Sequence, residues 1–84
     1  MNEVYKCTIS FDPNCSDYIG AMTDQLVGTD GKWTALKRNQ FVREGYRFIG
    51  WSLTADGEVM YADQDKPGWM EERVTLYAQW EAIP

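Results

Sequence analysis

Arg43-Glu44-Gly45-Tyr46-Arg47-Phe48-Ile49-Gly50-Trp51-Ser52-Leu53 decides the fold, because three aromatics and two glycines fall within the seven residues from Gly45 to Trp51. In an extended chain Tyr46 and Phe48 share one face, while Ile49, Trp51 and Leu53 share the other. Both parities are apolar, which predicts a central strand with neighbours on both sides. Gly50 stands between the two apolar sets, where a bulge or a close backbone approach would re-aim Trp51. Gly45 ends the turn that leads in. These residues specify a fold and bring no reactive chemistry.

Working outward toward the C-terminus, Thr54-Ala55-Asp56-Gly57-Glu58 marks a hairpin and Val59-Met60-Tyr61 a brief returning strand. A loop over 62–70 follows, broken by Pro67-Gly68. Val74, Leu76, Ala78 and Trp80 then share one face and Thr75, Tyr77 and Gln79 the other, which predicts a closing strand with 81–84 as a linker tail. On the N-terminal side Val4 to Phe11 alternates, with Tyr5, Cys7, Ile9 and Phe11 inward and Lys6, Thr8 and Ser10 outward. Asp12-Pro13-Asn14-Cys15-Ser16-Asp17 supplies turn chemistry. Met22 to Val27 reads as a second strand, and Gly28-Thr29-Asp30-Gly31 as a hairpin turn into a short strand Trp33-Thr34-Ala35-Leu36. Residues 37–44 are polar, anchored by Phe41 and Val42, without the 3.6 periodicity of a helix; one helical turn is the most they predict. The expected class is mainly β, or α+β at most, in one domain over 1–84 with its ordered core spanning 4–80.

Eighty-four residues are near the size at which a single core only just offsets the entropy of ordering the chain. Four Trp and five Tyr compensate, because each large ring buries roughly 150–250 Å². The formal charge of -5, with no basic cluster beyond Lys37-Arg38, argues against nucleic acid as a partner. No apolar run approaches the ~20 residues that span a bilayer, which argues against direct membrane insertion. The N-terminal residues lack the apolar core of a signal peptide. A chain that begins and ends so close to a strand is expected to be a piece of a longer protein whose export signal lies elsewhere.

Catalytic chemistry finds few candidates. There is no His, hence no imidazole base for a Ser or Cys nucleophile and no His metal ligand. The acidic clusters Asp12 to Asp17, Asp56 to Glu58 and Asp63 to Asp65 fall in predicted turns and lack the alternate-position oxygen ligands of a calcium loop. No catalytic residue, cofactor or metal ligand is therefore assigned, and the expectation is a protein that is not an enzyme. Cys7 and Cys15 leave two readings open: a short disulfide loop in an extracellular segment, or free thiols with Cys7 buried by its strand parity.

The landmarks occur in order. They are Ile9-Ser10-Phe11-Asp12-x-Asn14, Met22-x-x-Gln25, Leu36-x-x-Asn39-x-Phe41-x-Arg43-x-Gly45-Tyr46-x-Phe48-x-Gly50-Trp51, Thr54-Ala55-Asp56-Gly57, Tyr61-x-Asp63 and Leu76-Tyr77-Ala78-Gln79-Trp80. This series resembles the internalin B-repeat family, also called the Listeria-Bacteroides repeat, over nearly the whole chain. The resemblance implies a small β-grasp-like mixed sheet with reduced or absent helix, built on Phe11, Gly45, Tyr46, Phe48, Gly50, Trp51, Tyr77 and Trp80. It also implies an exported, usually tandem, module of a bacterial surface protein with adhesive roles and no catalysis. The sequence departs from the pattern at Cys15-Ser16, where the family usually has glycines, and in carrying Trp33 and Trp69.

Those two tryptophans lie beside polar residues, in Gly31-Lys32-Trp33-Thr34 and Pro67-Gly68-Trp69-Met70. Each either covers an edge of the small core or, with Tyr18, forms a partner-contact patch, since Trp is over-represented among residues that anchor interfaces. Two functions follow. One is an adhesion module at the cell surface or cell wall, binding a host or matrix protein or a glycan; the other is a passive spacer between a wall anchor and another domain, touching only neighbouring repeats.

Overall fold

The computed structural model describes residues 5–28, 35–66 and 73–84. The described residues hold four strands: β1 (Tyr5–Asp12), β2 (Gln25–Gly28), β3 (Tyr46–Ser52) and β4 (Arg73–Ala82). They form one mixed sheet in the order β2-β1-β4-β3. β1 and β4 run parallel at its centre, flanked by antiparallel β2 and β3. Among the described residues there is no helix. The mainly β expectation is met, and the alternating stretches at the two ends of the sequence are the two inner strands.

The core lies on one face of this sheet. Cys7, Ile9 and Phe11 from β1, Trp51 from β3, and Leu76 and Ala78 from β4 are buried together with Leu36 and Phe41. Phe48, Val74, Trp80, Met22 and Tyr61 pack around them half-buried. Trp51 is the hub, with its ring centroid 5.0 Å from Phe11, 4.9 Å from Phe48 and 6.4 Å from Phe41. Phe48 in turn meets Trp80 at 5.8 Å. Rings from the first, third and last strands therefore share one interior.

Two expectations for β3 change. It lies at the edge of the sheet, hydrogen-bonded to β4 on one side, and among the described residues the other side is met only locally, where Trp51 and Tyr61 form an antiparallel bridge. The expected two-faced burial also fails, because Ile49 and Leu53 are exposed. The reason is the bulge. Pairing with β4 passes from Phe48 opposite Trp80 to Gly50 opposite Gln79, leaving Ile49 as the extra residue, and Gly50 adopts φ +145°. One inserted residue shifts the parity, so Trp51 turns onto the face of Phe48 and away from that of Ile49.

The connection into β3 also departs from expectation. Ala35 and Leu36 are not in a strand, and 35–41 is irregular. Phe41 is buried, but its neighbour Val42 is 55% exposed and anchors nothing. Side-chain amides hold this segment in place of a regular ladder. Buried Gln25 donates to the Ala35 carbonyl at 3.0 Å and accepts from the Lys37 N–H at 2.9 Å. Asn39 brackets Phe41, donating to its carbonyl and accepting from its N–H. β2 begins at Gln25, later than predicted, and Val59 to Tyr61 makes only the bridge to Trp51. The supposed tail 81–84 starts inside β4, where Glu81 and Ala82 pair with Arg47 and Tyr46. Expectations for Val4, for the Tyr5 side chain, for the turn at 29–31, for Trp33 and Thr34, and for Pro67-Gly68 lie outside the described residues.

Both cysteines are free, Cys7 buried and Cys15 half-buried. Burial pushes both thiols up from their ordinary range; at Cys15 the nearby Arg43 charge works against that rise.

Two measurements test this packing. In Gly50→Ala the new methyl would meet Val59 Cγ1 at 2.5 Å and the Tyr61 carbonyl at 2.8 Å on a backbone at positive φ, so urea unfolding should lose more than about 2 kcal/mol. Gly45→Ala, at φ +85° with nothing within 4 Å, should cost only about 1 kcal/mol. Equal losses would contradict the close approach at Gly50. Alkylation of native protein should label Cys15 while Cys7 stays protected until urea unfolds the domain; early labelling of Cys7 would contradict its burial.

Candidate functional site

Of the three residues expected at a contact surface, Trp33 and Trp69 lie outside the described residues and Tyr18 is described. Tyr18 is 40% exposed and stands edge-on to Phe41 with ring centroids 5.5 Å apart, so one end of its ring is held by the core. Next to it, Ile19 and Val42 form an isolated antiparallel bridge through two backbone bonds of 2.9 and 3.0 Å. Burying Phe41 turns Val42 outward, and the bridge sets Ile19 beside it; both are more than half exposed.

Charge frames this apolar strip. Asp17, Tyr18, Ile19, Val42 and Glu44 line a shallow depression of about 390 Å³. Arg43 donates to Asp17 at 2.9 Å while its guanidinium lies 3.6 Å over the Tyr46 ring. An exposed ion pair contributes at most about 1 kcal/mol, and the cation–π contact adds a similar amount. A second depression of similar size is lined by Ala21, Met22, Thr23, Lys37, Arg38 and Gln40. Its Lys37 ammonium is already engaged by Thr23 Oγ1 at 2.8 Å and by the Thr23 and Asp24 carbonyls. Among the described residues no group of three Cys, Asp or Glu is placed to hold a metal ion. No described helix is long and apolar enough to cross a membrane. Ile19 was not singled out from sequence, and Val42 was expected as a buried anchor; the available signal was an Ile ahead of Gly20 and a Val after a buried Phe, which parity alone does not place at one spot.

The other functional geometry is the path of the chain. β1 and β4 are parallel neighbours, with Thr8 opposite Arg73 and Asp12 opposite Tyr77. β1 begins before that overlap and β4 continues past it to Ala82, so the chain enters at one end of the sheet and leaves at the other. At about 3.3 Å a residue, the steps from Tyr5 to Asp12 and from Tyr77 to Ala82 separate the two ends by about 40 Å. The molecule is correspondingly long, 52 × 21 × 17 Å.

The Listeria-Bacteroides repeat domain matches residues 8–79 of this chain, which takes in all of β2 and β3 and most of β1 and β4. The chain belongs to that repeat family. It is 34% identical over 76 residues, 86% of its length, to a provisionally named membrane protein of Evansella cellulosilytica, and spans 11% of that protein. It is 32% identical over 79 residues, 93% of its length, to a provisionally named Gly-rich membrane protein of the same organism, and spans 9% of it. No solved structure matches this chain. Within the repeat, Asn14, Gln25, Asn39 and Trp80 each place a side-chain donor on a backbone carbonyl, which gives those landmarks a physical meaning.

Replacing the exposed pair, Ile19→Ser with Val42→Ser, should change stability by less than about 1 kcal/mol, because the bridge is made by backbone atoms. Phe41→Ala, one residue away, should cost about 3–5 kcal/mol. Urea denaturation of the two variants separates surface from core; a large loss in the Ser pair would place the strip in the packing.

Proposed function

We propose that this repeat is a non-enzymatic module of a bacterial exported protein, standing at the cell surface or in the cell wall, whose main work is to space what lies on either side of it. The observation that carries this reading is the path of the chain through parallel β1 and β4, which advances it by about 40 Å instead of returning it to its starting point. Copies joined end to end would then form an extended stalk, touching chiefly their neighbours. Membership of a repeat family and relatives roughly ten times longer, named as membrane proteins, support that setting. We read the sheet as a β-grasp variant in which the irregular 35–41 segment covers the face a helix would otherwise cover.

A second reading, adhesion to a host or matrix protein or a glycan, is favoured by the exposed strip of Tyr18, Ile19 and Val42. Trp33 and Trp69 remain its further candidates. The acidic balance supports neither nucleic acid nor an anionic surface as the target.

Small-angle scattering on one copy and on two fused copies tests spacing: the longest dimension should grow by about 40 Å per added copy. A two-copy protein hardly longer than one would overturn it. Binding of the isolated domain to cells, mucin and matrix proteins decides between the readings. Spacing predicts no saturable binding; saturable binding that weakens in the Ile19→Ser, Val42→Ser variant makes the strip an adhesive site.

A further inference from the structure

We propose that the repeat is a load-bearing link, with β1, β4 and two side-chain latches forming a clamp that resists tension along the chain. The proposal rests on the spacing reading and adds a mechanical role to it. A surface chain held at both ends carries tension from its first strand to its last. Here that tension pulls β1 toward the Tyr5 end and β4 toward the Ala82 end, in opposite directions along a shared ladder. The pairs from Thr8 opposite Arg73 to Asp12 opposite Tyr77 lie along the line of pull. Their evenly spaced bonds are sheared together, whereas a hairpin opened from its end loses one pair at a time.

The ladder would stop at Asp12, because Pro13 has no N–H to continue it. Two side chains carry the connection further. Asn14 Nδ2 donates to the Ala78 carbonyl at 2.9 Å and to the Ala55 carbonyl at 2.7 Å. Trp80 Nε1 donates back to the Pro13 carbonyl at 2.7 Å. Asn14 sits at φ +57°, a conformation Asn tolerates, held by its own N–H on Asp12 Oδ1 at 2.7 Å. The end of β1 is thus tied to β4 beyond the last backbone pair.

Neither strand is free to peel away. β4 is held on its far side by β3, up to Tyr46 opposite Ala82, and the Ile83 N–H reaches the Gly45 carbonyl at 2.9 Å. β1 is held by β2. Ring packing also crosses the plane of sliding: Phe11 of β1 packs on Trp51 of β3, and β3 is paired to β4. Sliding must therefore disengage ring contacts together with the ladder.

Single-molecule force spectroscopy on the 84-residue chain tests this in two pulling geometries at one loading rate. Handles at the two termini shear β1 against β4; handles at Glu44, attached without cysteine chemistry, and at the C-terminus open β3 from β4 at the Tyr46–Ala82 end. The terminal geometry should need at least a twofold higher unfolding force. Asn14→Gly, which removes one latch donor but keeps the backbone conformation, should lower the force in the terminal geometry and leave the other unchanged; Trp80→Phe, which removes the second donor but keeps a ring, should lower the terminal force as well. Equal forces in the two geometries, or equal losses in both, would overturn the clamp. If a variant fails to fold by circular dichroism, the comparison on the unaltered chain still decides. A weak terminal geometry alongside tandem copies that lengthen as expected would remove the clamp and leave the spacing reading intact.

Discussion

Everything in this small sheet depends on getting one indole to the right side of a strand. Trp51 is fully buried and touches rings from β1, β3 and the irregular segment before β3. Burying a ring of roughly 150–250 Å² at about 25 cal/mol per Å² contributes about 4–6 kcal/mol, a large share of the net stability open to a domain of this length. The indole N–H has no hydrogen-bond partner among the described residues, which offsets about 1–3 kcal/mol of that gain. Packing wins, but only because the bulge at Gly50 turns the ring inward. Without the extra residue, Trp51 would share the exposed face of Ile49.

Once the ring is placed, the interior still needs a cover, and no described helix supplies one. Leu36 and Phe41 provide it from a segment without regular structure, whose backbone groups would be costly to leave unpaired. Gln25, Asn39 and the turn that presents Asp63 and Asp65 meet that need: Asn39 N–H donates to Asp63 Oδ1, and Leu36 N–H to the Asp65 carbonyl. An amide side chain offers a donor and an acceptor with the spacing of a peptide group, so it can stand in for a strand neighbour at a single point. Such pairing fixes the segment without requiring a repeating pattern in its sequence.

This explains which parts of the structure could be read in advance. β1 and β4 were legible because each keeps a strict period of two against one buried face, and the bulge was legible from a glycine between aromatic sets. The edge position of β3 was not. Apolar residues on both parities ordinarily signal a strand with both faces covered, but here Ile49 and Leu53 lie on the surface, and no property of one strand names its neighbours in the sheet. Residues 35–41 were legible only as a stretch without helical period, because its partners are single groups: the Gln25 amide, Asn39 within the segment itself, and the turn at Asp63 and Asp65. At the candidate contact surface Tyr18 could be flagged as an aromatic in a polar loop. Ile19 and Val42 could not, since a tertiary bridge brings them together.

Strand direction then links the fold to the proposed spacing role. A domain whose first and last strands are antiparallel neighbours brings its ends together, and tension on them unzips it. Parallel neighbours do the opposite on both counts: the ends separate along the sheet, and tension loads the shared ladder lengthwise. The side-chain bonds of Asn14 and Trp80 fall just where Pro13 interrupts that ladder, so the polar residues of the first turn serve the same direction as the backbone. The exposed strip of Tyr18, Ile19 and Val42 takes no part in this axis, and its residues can vary without disturbing the strands that carry the chain forward. The path of the chain and the exposed strip are therefore separable features of this repeat, which lets one scaffold keep its length while its exterior changes.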